Sequence, residues 1–191
     1  MTDLQDKWDA IYHKREDLIP DPATMLPLYA HLLPTKGRAL DLACGLGGNA
    51  FFMAKQGLQV DAWDISPVAV ERINNNSQTK TVHASTVDAN QVDFPTEYYD
   101  VITVSRFLNR HISHQLICAL KPGGLLFYQT FTLEKAQSGG PSNPEFLLKK
   151  GELLSLFAIL EPVIYHEEST LGNTKQGIRN EAILIAKKPI I

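Results

Sequence analysis

Residues 39–49 read Ala39-Leu40-Asp41-Leu42-Ala43-Cys44-Gly45-Leu46-Gly47-Gly48-Asn49. The short apolar run 39–42 reads as a buried strand. Glycines follow it, and Phe51, Phe52 and Ala54 then open a helical pattern. Glycine lets backbone come close to a ligand, and a helix start presents free N–H groups. Asp41 stands just before the turn. Asp64 ends the next apolar run, about twenty residues beyond the glycines, where an acid that accepts ribose hydroxyls belongs. Strand, glycine turn, helix and acid together read as a site for an adenosine-type cofactor.

Working outward, Leu4, Trp8, Ile11 and Arg15 share one helical face and predict an amphipathic helix over residues 3–16. Asp21-Pro22 reads as a helix cap with proline at the first helical position, followed by Met25, Leu28, Tyr29 and Leu32 at helical spacing. These two helices, residues 1–35, precede the first strand. Gly57 is expected to stop the helix after the turn. A second strand runs to Asp64, and Ser66-Pro67 starts the next helix. Residues 80–87 form a third strand ending at Asp88, and residues 99–104 a fourth ending at Ser105. A helix is expected near residues 113–119, then a tight turn at Lys121-Pro122-Gly123-Gly124 and a fifth strand over 125–130. Alternation of this kind implies a parallel sheet with right-handed crossovers. Ligands in such sheets lie beyond the carboxyl ends of the strands, and Asp41, Asp64, Asp88 and Ser105 all fall there.

The pattern then changes. Residues 132–144 read as a loop, and residues 151–160 as a helix with Leu153, Leu154 and Phe157 inward. Residues 162–168 and 181–187 read as strands, joined by a polar loop as an antiparallel hairpin. With 191 residues, one domain is expected, with residues 36–191 as its core. A hydrophobic content of 44% and a charged content of 20% match a soluble globular chain. A net charge of −3 without a basic stripe argues against a nucleic-acid partner. No apolar run approaches the roughly eighteen residues of a membrane span, and residues 1–16 are too polar for a signal peptide. Cys44 and Cys118 form no metal-binding pattern, so no metal is expected. They read as buried thiols of a reducing, cytoplasmic setting.

Gly45-Leu46-Gly47-Gly48-Asn49-Ala50 also fits a dinucleotide turn. Asp41 argues against one, because a carboxylate there repels a pyrophosphate and suits a cofactor with a positively charged amino end. The chain is also short for a second nucleotide-binding half, and the terminal hairpin is unlike a dehydrogenase continuation.

Taken together, residues 41–47, Asp64, Asp88-Ala89 and Lys121-Pro122-Gly123-Gly124 resemble, in order, the motifs of the class I S-adenosylmethionine-dependent methyltransferases. Val60-Asp61-Ala62-Trp63-Asp64 and Lys150-Gly151-Glu152-Leu153 resemble the tellurite-resistance and thiopurine-type branch, which methylates small molecules. The resemblance implies a Rossmann-like α/β fold: a doubly wound seven-stranded sheet, mostly parallel, with an antiparallel last strand. It also implies S-adenosyl-L-methionine as cofactor. Ala43 departs from the family, where glycine is common, and its methyl is expected to point away from the loop.

Under the resemblance, Asp41 orients the Gly45–Gly47 loop or receives the methionine ammonium, and Asp64 takes both ribose hydroxyls. Asp88 accepts the adenine amino group beside Ala89, and Ile65 packs on the adenine face. Asn49 and Ser105 complete the cofactor set. Tyr12 and Arg15, on the first helix, are candidates to close over the cofactor, with Arg15 on its carboxylate. The segment Ser105-Arg106-Phe107-Leu108-Asn109-Arg110-His111 lies where the acceptor chemistry belongs. Arg106, Arg110 and His111 are candidates to hold an anionic acceptor, and His111 is a candidate base. The implied function is in-line methyl transfer to a small molecule such as a thiol or chalcogen oxyanion. A small NAD(P)-linked oxidoreductase and a non-catalytic cofactor-binding module stand as alternatives. Oligomeric state is left open.

Overall fold

Neighbouring residues of the first strand point to opposite faces of a sheet, and Ala39 and Leu40 are both fully buried. A strand covered on both sides reads as a continuous apolar run, as residues 39–42 do. The computed structural model describes residues 3–15, 18–76 and 80–190. Among them, seven strands form one sheet: β1 (Arg38–Leu42), β2 (Gln59–Asp64), β3 (Val82–Thr86), β4 (Tyr99–Ser105), β5 (Leu120–Phe131), β6 (Glu161–His166) and β7 (Glu181–Lys187). Their spatial order is 3-2-1-4-5-7-6. β1 to β5 pair in parallel, while β7 runs antiparallel between β5 and β6. The expected hairpin is therefore present, and the fold is the Rossmann-like sheet expected from the sequence.

Side-chain alternation splits the core into two layers. Leu40, Ile102, Leu126, Tyr128 and Leu184 join one cluster, while Ala39, Val101, Phe127, Ile183 and Ile185 join the other. Helices α5 (Ser113–Ala119) and α6 (Glu152–Leu156) cover the first layer through Leu116, Ile117 and Leu153. Helices α3 (Gly48–Lys55) and α4 (Pro67–Asn74) cover the second through Ala50, Phe51, Met53 and Ile73. The Ser66 hydroxyl caps α4 at Ala69 N, with Pro67 in its first turn, as the Ser-Pro pair predicts. No helix among the described residues is long and apolar enough to cross a membrane.

Several expectations need correction. The first helix, α1 (Asp3–His13), is shorter than 3–16, and Glu16 lies outside the described residues. The second helix does not start at Asp21-Pro22. It is a short turn, α2 (Met25–Leu28), followed by a 3-10 turn at Ala30–Leu32. Its N-terminal donors are taken by distant amides: Ala23 N donates to Asn49 Oδ1 at 2.8 Å and Met25 N to Gln129 Oε1 at 2.9 Å. Lys121-Pro122-Gly123-Gly124 is an irregularity within β5, whose register against β4 shifts between Tyr99 and Val101. The helix over 151–160 shrinks to α6, and Leu154 points outward at 38% exposure. Both cysteines are free, but Cys118 is only half-buried.

Gly48 is where the N-terminal segment meets the core. A Cβ there would lie 2.5 Å from the Pro20 carbonyl oxygen and 3.0 Å from that of Asp21, and both are backbone atoms. Gly48→Ala is expected to push residues 20–23 off α3 and to cost about 1–3 kcal/mol, the usual penalty of overpacking. Urea unfolding of the variant beside the wild type measures it.

Candidate active site

The strand order reverses between β1 and β4, which opens a crevice at their carboxyl ends. Asp41, inside β1, is fully buried there. Its Oδ1 accepts from Asn49 Nδ2 at 3.3 Å, and its Oδ2 has no hydrogen-bond partner among the described residues. Burial lifts its pKa from 3.8 to about 7, with the Asn49 amide and the Ala50 backbone opposing part of the rise. A buried, unpaired carboxylate oxygen calls for a proton or a cation.

The turn after β1 is left-handed at Ala43 (φ 54°), Gly45 (φ 53°) and Gly47 (φ 84°). Ala43 lines the cavity, and its departure from glycine is a matter of backbone strain rather than of where the methyl points. Gly45 N donates to Asp64 Oδ2 at 2.8 Å, and Ser66 N donates to Asp64 Oδ1 at 2.9 Å. The Ile65 backbone adds a third bond, and of the carboxylate's roughly four acceptor sites at least one stays open to a further donor. Burial, first of all, raises the Asp64 pKa, and those backbone N–H groups oppose the rise.

At the β3 end, Asp88 is a half-buried acid just before a turn, and it also lines the cavity. Its Oδ1 accepts from Asn90 N at 2.9 Å and from Asn90 Nδ2 at 3.1 Å, and its Oδ2 from Gln91 Nε2 at 2.9 Å. Ile65, Ala89 and Trp63 form apolar wall on the same side. Across the crevice, Ser105 Oγ accepts from Asn49 Nδ2 at 2.8 Å, so one amide links Asp41, Ser105 and the Ala23 backbone.

The residues after β4 separate. Arg106 lines the cavity and has a left-handed backbone (φ 52°). Arg110 does not line it; its guanidinium is held by Glu152 at 2.6 Å and by the carbonyls of Glu145 and Leu147. That ion pair keeps the Arg110 pKa high and the Glu152 pKa low. His111 is exposed and is not among the cavity-lining residues, which removes the geometric basis for a base role. Asp41 and Gly47 also stand behind the lining, Asp41 beneath Asn49 and Gly47 as the cap of α3.

Helix α1 roofs the crevice. Trp8 and Tyr12, one turn apart, stack with ring centroids 5.7 Å apart, and both line the cavity with Arg15. Tyr12 lies on the turn so closely that a Cβ on Gly45 would come 3.1 Å from its hydroxyl oxygen. Burial, then the nearby Asp64 charge, holds the Tyr12 hydroxyl protonated well above the usual tyrosine range. Asp9 pairs with the Ser66 hydroxyl, and Arg72 Nη1 donates to the Arg15 carbonyl at 3.1 Å. The space beneath α1, partly open to solvent, is about 250 Å³. Pro20, Asp21, Trp63, Asn90 and Phe107 also line it, although none of them is named individually as a site residue above. The strand-end rule covers Trp63 and Phe107, whereas the loop residues carry no local signal.

Residues 39–124 match the model of a methyltransferase-domain family, which spans the glycine turn, Asp64 and Asp88. No curated protein matches the chain. Among solved structures, the chain is similar to an S-adenosylmethionine-dependent methyltransferase from Mesorhizobium loti (15% identity, TM-score 0.70, 87% of this chain and 98% of that one). It is also similar to TehB from Haemophilus influenzae (19%, TM-score 0.69, 95% and 67%). A third is geranyl diphosphate C-methyltransferase from Streptomyces coelicolor A3(2), solved with Mg2+, geranyl diphosphate and S-adenosyl-L-homocysteine (14%, TM-score 0.71, 98% and 99%). At these identities the likeness is one of fold. The domain match supports a methyltransferase's glycine turn over a dinucleotide turn, in keeping with S-adenosylmethionine as the cofactor.

The site fits that cofactor. Asp41 puts an unpaired carboxylate oxygen just behind the cavity wall, where its charge would favour a cation, and the Asp64 carboxylate lines the cavity itself. Asp41 also sets a pH dependence. Without ligand, its raised pKa weakens the folded state as pH climbs from 3.8, a loss complete near pH 7. A cationic ligand instead favours the ionised form. Affinity for S-adenosylhomocysteine is therefore expected to fall as pH drops below about 7, by at most about tenfold per unit, and to level off above it. Calorimetry between pH 5.5 and 8.5 (roughly the window either side of that pKa) should show the slope, and Asp41→Asn should flatten it.

Proposed function

We propose that this chain, a class I S-adenosylmethionine-dependent methyltransferase, methylates a small-molecule nucleophile, a thiol or a reduced chalcogen oxyanion. The observation that carries this reading is the roof. Helix α1 and residues 20–23 lie over the strand ends and leave about 250 Å³ beneath them. The cleft is only partly open and must take the cofactor as well, which suits a small acceptor better than a duplex or a protein surface. In this reading the described part of residues 3–35 is the substrate-side segment over a cofactor-binding core, with α1 as a lid.

Bound S-adenosylmethionine supplies a methyl group already activated on its sulfonium. Asp64 would take the ribose hydroxyls, Asp41 would balance the positive methionine end, and Ile65 and Ala89 would wall the adenine. Trp8 and Tyr12 exclude water from above, and Asn49 fixes Asp41 against Ser105. What remains for the protein is alignment of the acceptor with the methyl carbon, which is the larger part of catalysis in a displacement of this kind.

The lining supports a nucleophile that is ready at neutral pH. It holds no histidine among the described residues. Burial keeps the Tyr12 hydroxyl and the Cys44 thiol protonated. Thiols and chalcogen oxyanions need little help from a base. The narrower resemblance of residues 60–64 and 150–153 supports the same acceptor class. Hydride transfer finds no Tyr–Lys pair, since no lysine lines the cavity among the described residues. Two free cysteines agree with a reducing, cytoplasmic setting.

The test is an acceptor panel read by S-adenosylhomocysteine release: small thiols, selenite, tellurite, duplex DNA, RNA and an unfolded protein. Release with a thiol or a chalcogen oxyanion alone is the expected result. Release with a macromolecule alone, or with none of the panel, contradicts the reading.

A further inference from the structure

Arg106 departs from what its position requires. It is the first residue after β4, its backbone is left-handed at φ 52°, and its side chain is 63% exposed while lining the cavity. A non-glycine residue in that region is strained by about 1–2 kcal/mol and persists only where its surroundings fix it. Here they do. Arg106 N donates to the Gln129 carbonyl at 2.8 Å, and Arg106 Nε donates to Glu181 Oε1 at 3.1 Å.

Behind that contact lies a buried polar chain. Glu181 is 9% exposed and Gln129 not at all. Glu181 Oε2 accepts from Gln129 Nε2, and Gln129 Oε1 accepts from Met25 N at 2.9 Å. Glu181 opens β7 and Gln129 sits near the end of β5, so two central strands and the N-terminal segment converge on one guanidinium. The Glu181 contact uses only Nε. A guanidinium held by that edge keeps its two terminal nitrogens in a fork suited to a carboxylate or another oxyanion.

Topology says which ligand that fork would meet. The acids Asp64 and Asp88 lie at the β2 and β3 ends, on one side of the switch point, and Arg106 lies on the other, at the β4 end. Of the other two basic candidates in the segment, Arg110 is committed to Glu152 and His111 lies outside the lining. Resting on the reading of the chain as a small-molecule methyltransferase, we propose that its acceptor is an anion, held at a carboxylate or oxyanion group by Arg106, with Glu181 and Gln129 as positioning residues. Arg106 sets specificity by charge, and Glu181 acts only through it.

Binding tests this without turnover. Protein saturated with S-adenosylhomocysteine is titrated by calorimetry with (methylthio)acetate and with 2-(methylthio)ethanol, the methylated forms of an anionic and a neutral thiol. The carboxylate is expected to bind at least about tenfold more tightly, the scale of one charge-assisted pair. Arg106→Gln should bring the two affinities within about twofold, and Glu181→Gln should give an intermediate ratio, each with cofactor-product affinity retained. A ratio near one in the wild type, or one undiminished in Arg106→Gln, overturns the proposal. If Arg106 merely neutralises Glu181, the Arg106 variant loses thermal stability and keeps its ratio, which is the overturning result. Selective binding without methylation of any thiol leaves the anion site standing and refutes the thiol acceptor instead.

Discussion

The Asn49 side chain ties together four parts of the chain. Its Nδ2 donates to Asp41 in β1 and to Ser105 at the end of β4, and its Oδ1 accepts from the backbone of Ala23. Asn49 itself belongs to the first turn of α3, whose start is the glycine loop. Both amide hydrogens and an oxygen lone pair are therefore in use within a buried space. An aspartate here would place a second carboxylate against Asp41, and an alanine would leave several polar groups unpaired. The crevice between β1 and β4 has its shape because this one amide holds both walls and the roof segment.

The electrostatics follow from that arrangement. Asp41 is buried by the strands beside it and receives only one side-chain hydrogen bond, so its second oxygen stays unsatisfied. Asp64 spends its bonds on Gly45 and Ser66, which shapes the turn, and it faces the charge of Asp9 across the roof. Carboxylates gathered at low dielectric raise one another's pKa and are relieved by a positive ligand. The same charges would suit a cationic ligand such as a sulfonium and oppose a pyrophosphate. Arg106 and its buried anchors stand apart from these acids, so the crevice is acidic at the β1 and β2 ends and basic at the β4 end.

Most of the fold was legible because strands buried on both faces print continuous apolar runs, and because Ser66-Pro67 and Gly57 are local stop and start signals. The acids at strand ends were legible for the same reason, since a strand's end fixes where the next residue points. What failed depended on distant partners. Residues 21–32 carry a helical pattern, but Asn49 and Gln129 capture their first donors. Arg110 and His111 looked equivalent to Arg106, yet Glu152 lies 42 residues from Arg110 and takes its charge. Glu181 is 75 residues from Arg106, and no spacing rule joins them. The Lys150-Gly151-Glu152-Leu153 motif proves to place that Arg110 clamp, with Gly151 left-handed ahead of α6.

The central claim is that Asp64 and the roofed crevice bind the nucleoside of S-adenosylmethionine. Both tryptophans of the chain, Trp8 and Trp63, line that crevice, so intrinsic fluorescence reports its occupancy directly. Titration with S-adenosylhomocysteine should give a saturable change in the wild type, no change with NAD, and a strongly weakened response in a folded Asp64→Ala protein. Equal affinity of Asp64→Ala and wild type for S-adenosylhomocysteine, or a response to NAD alone, would contradict the account.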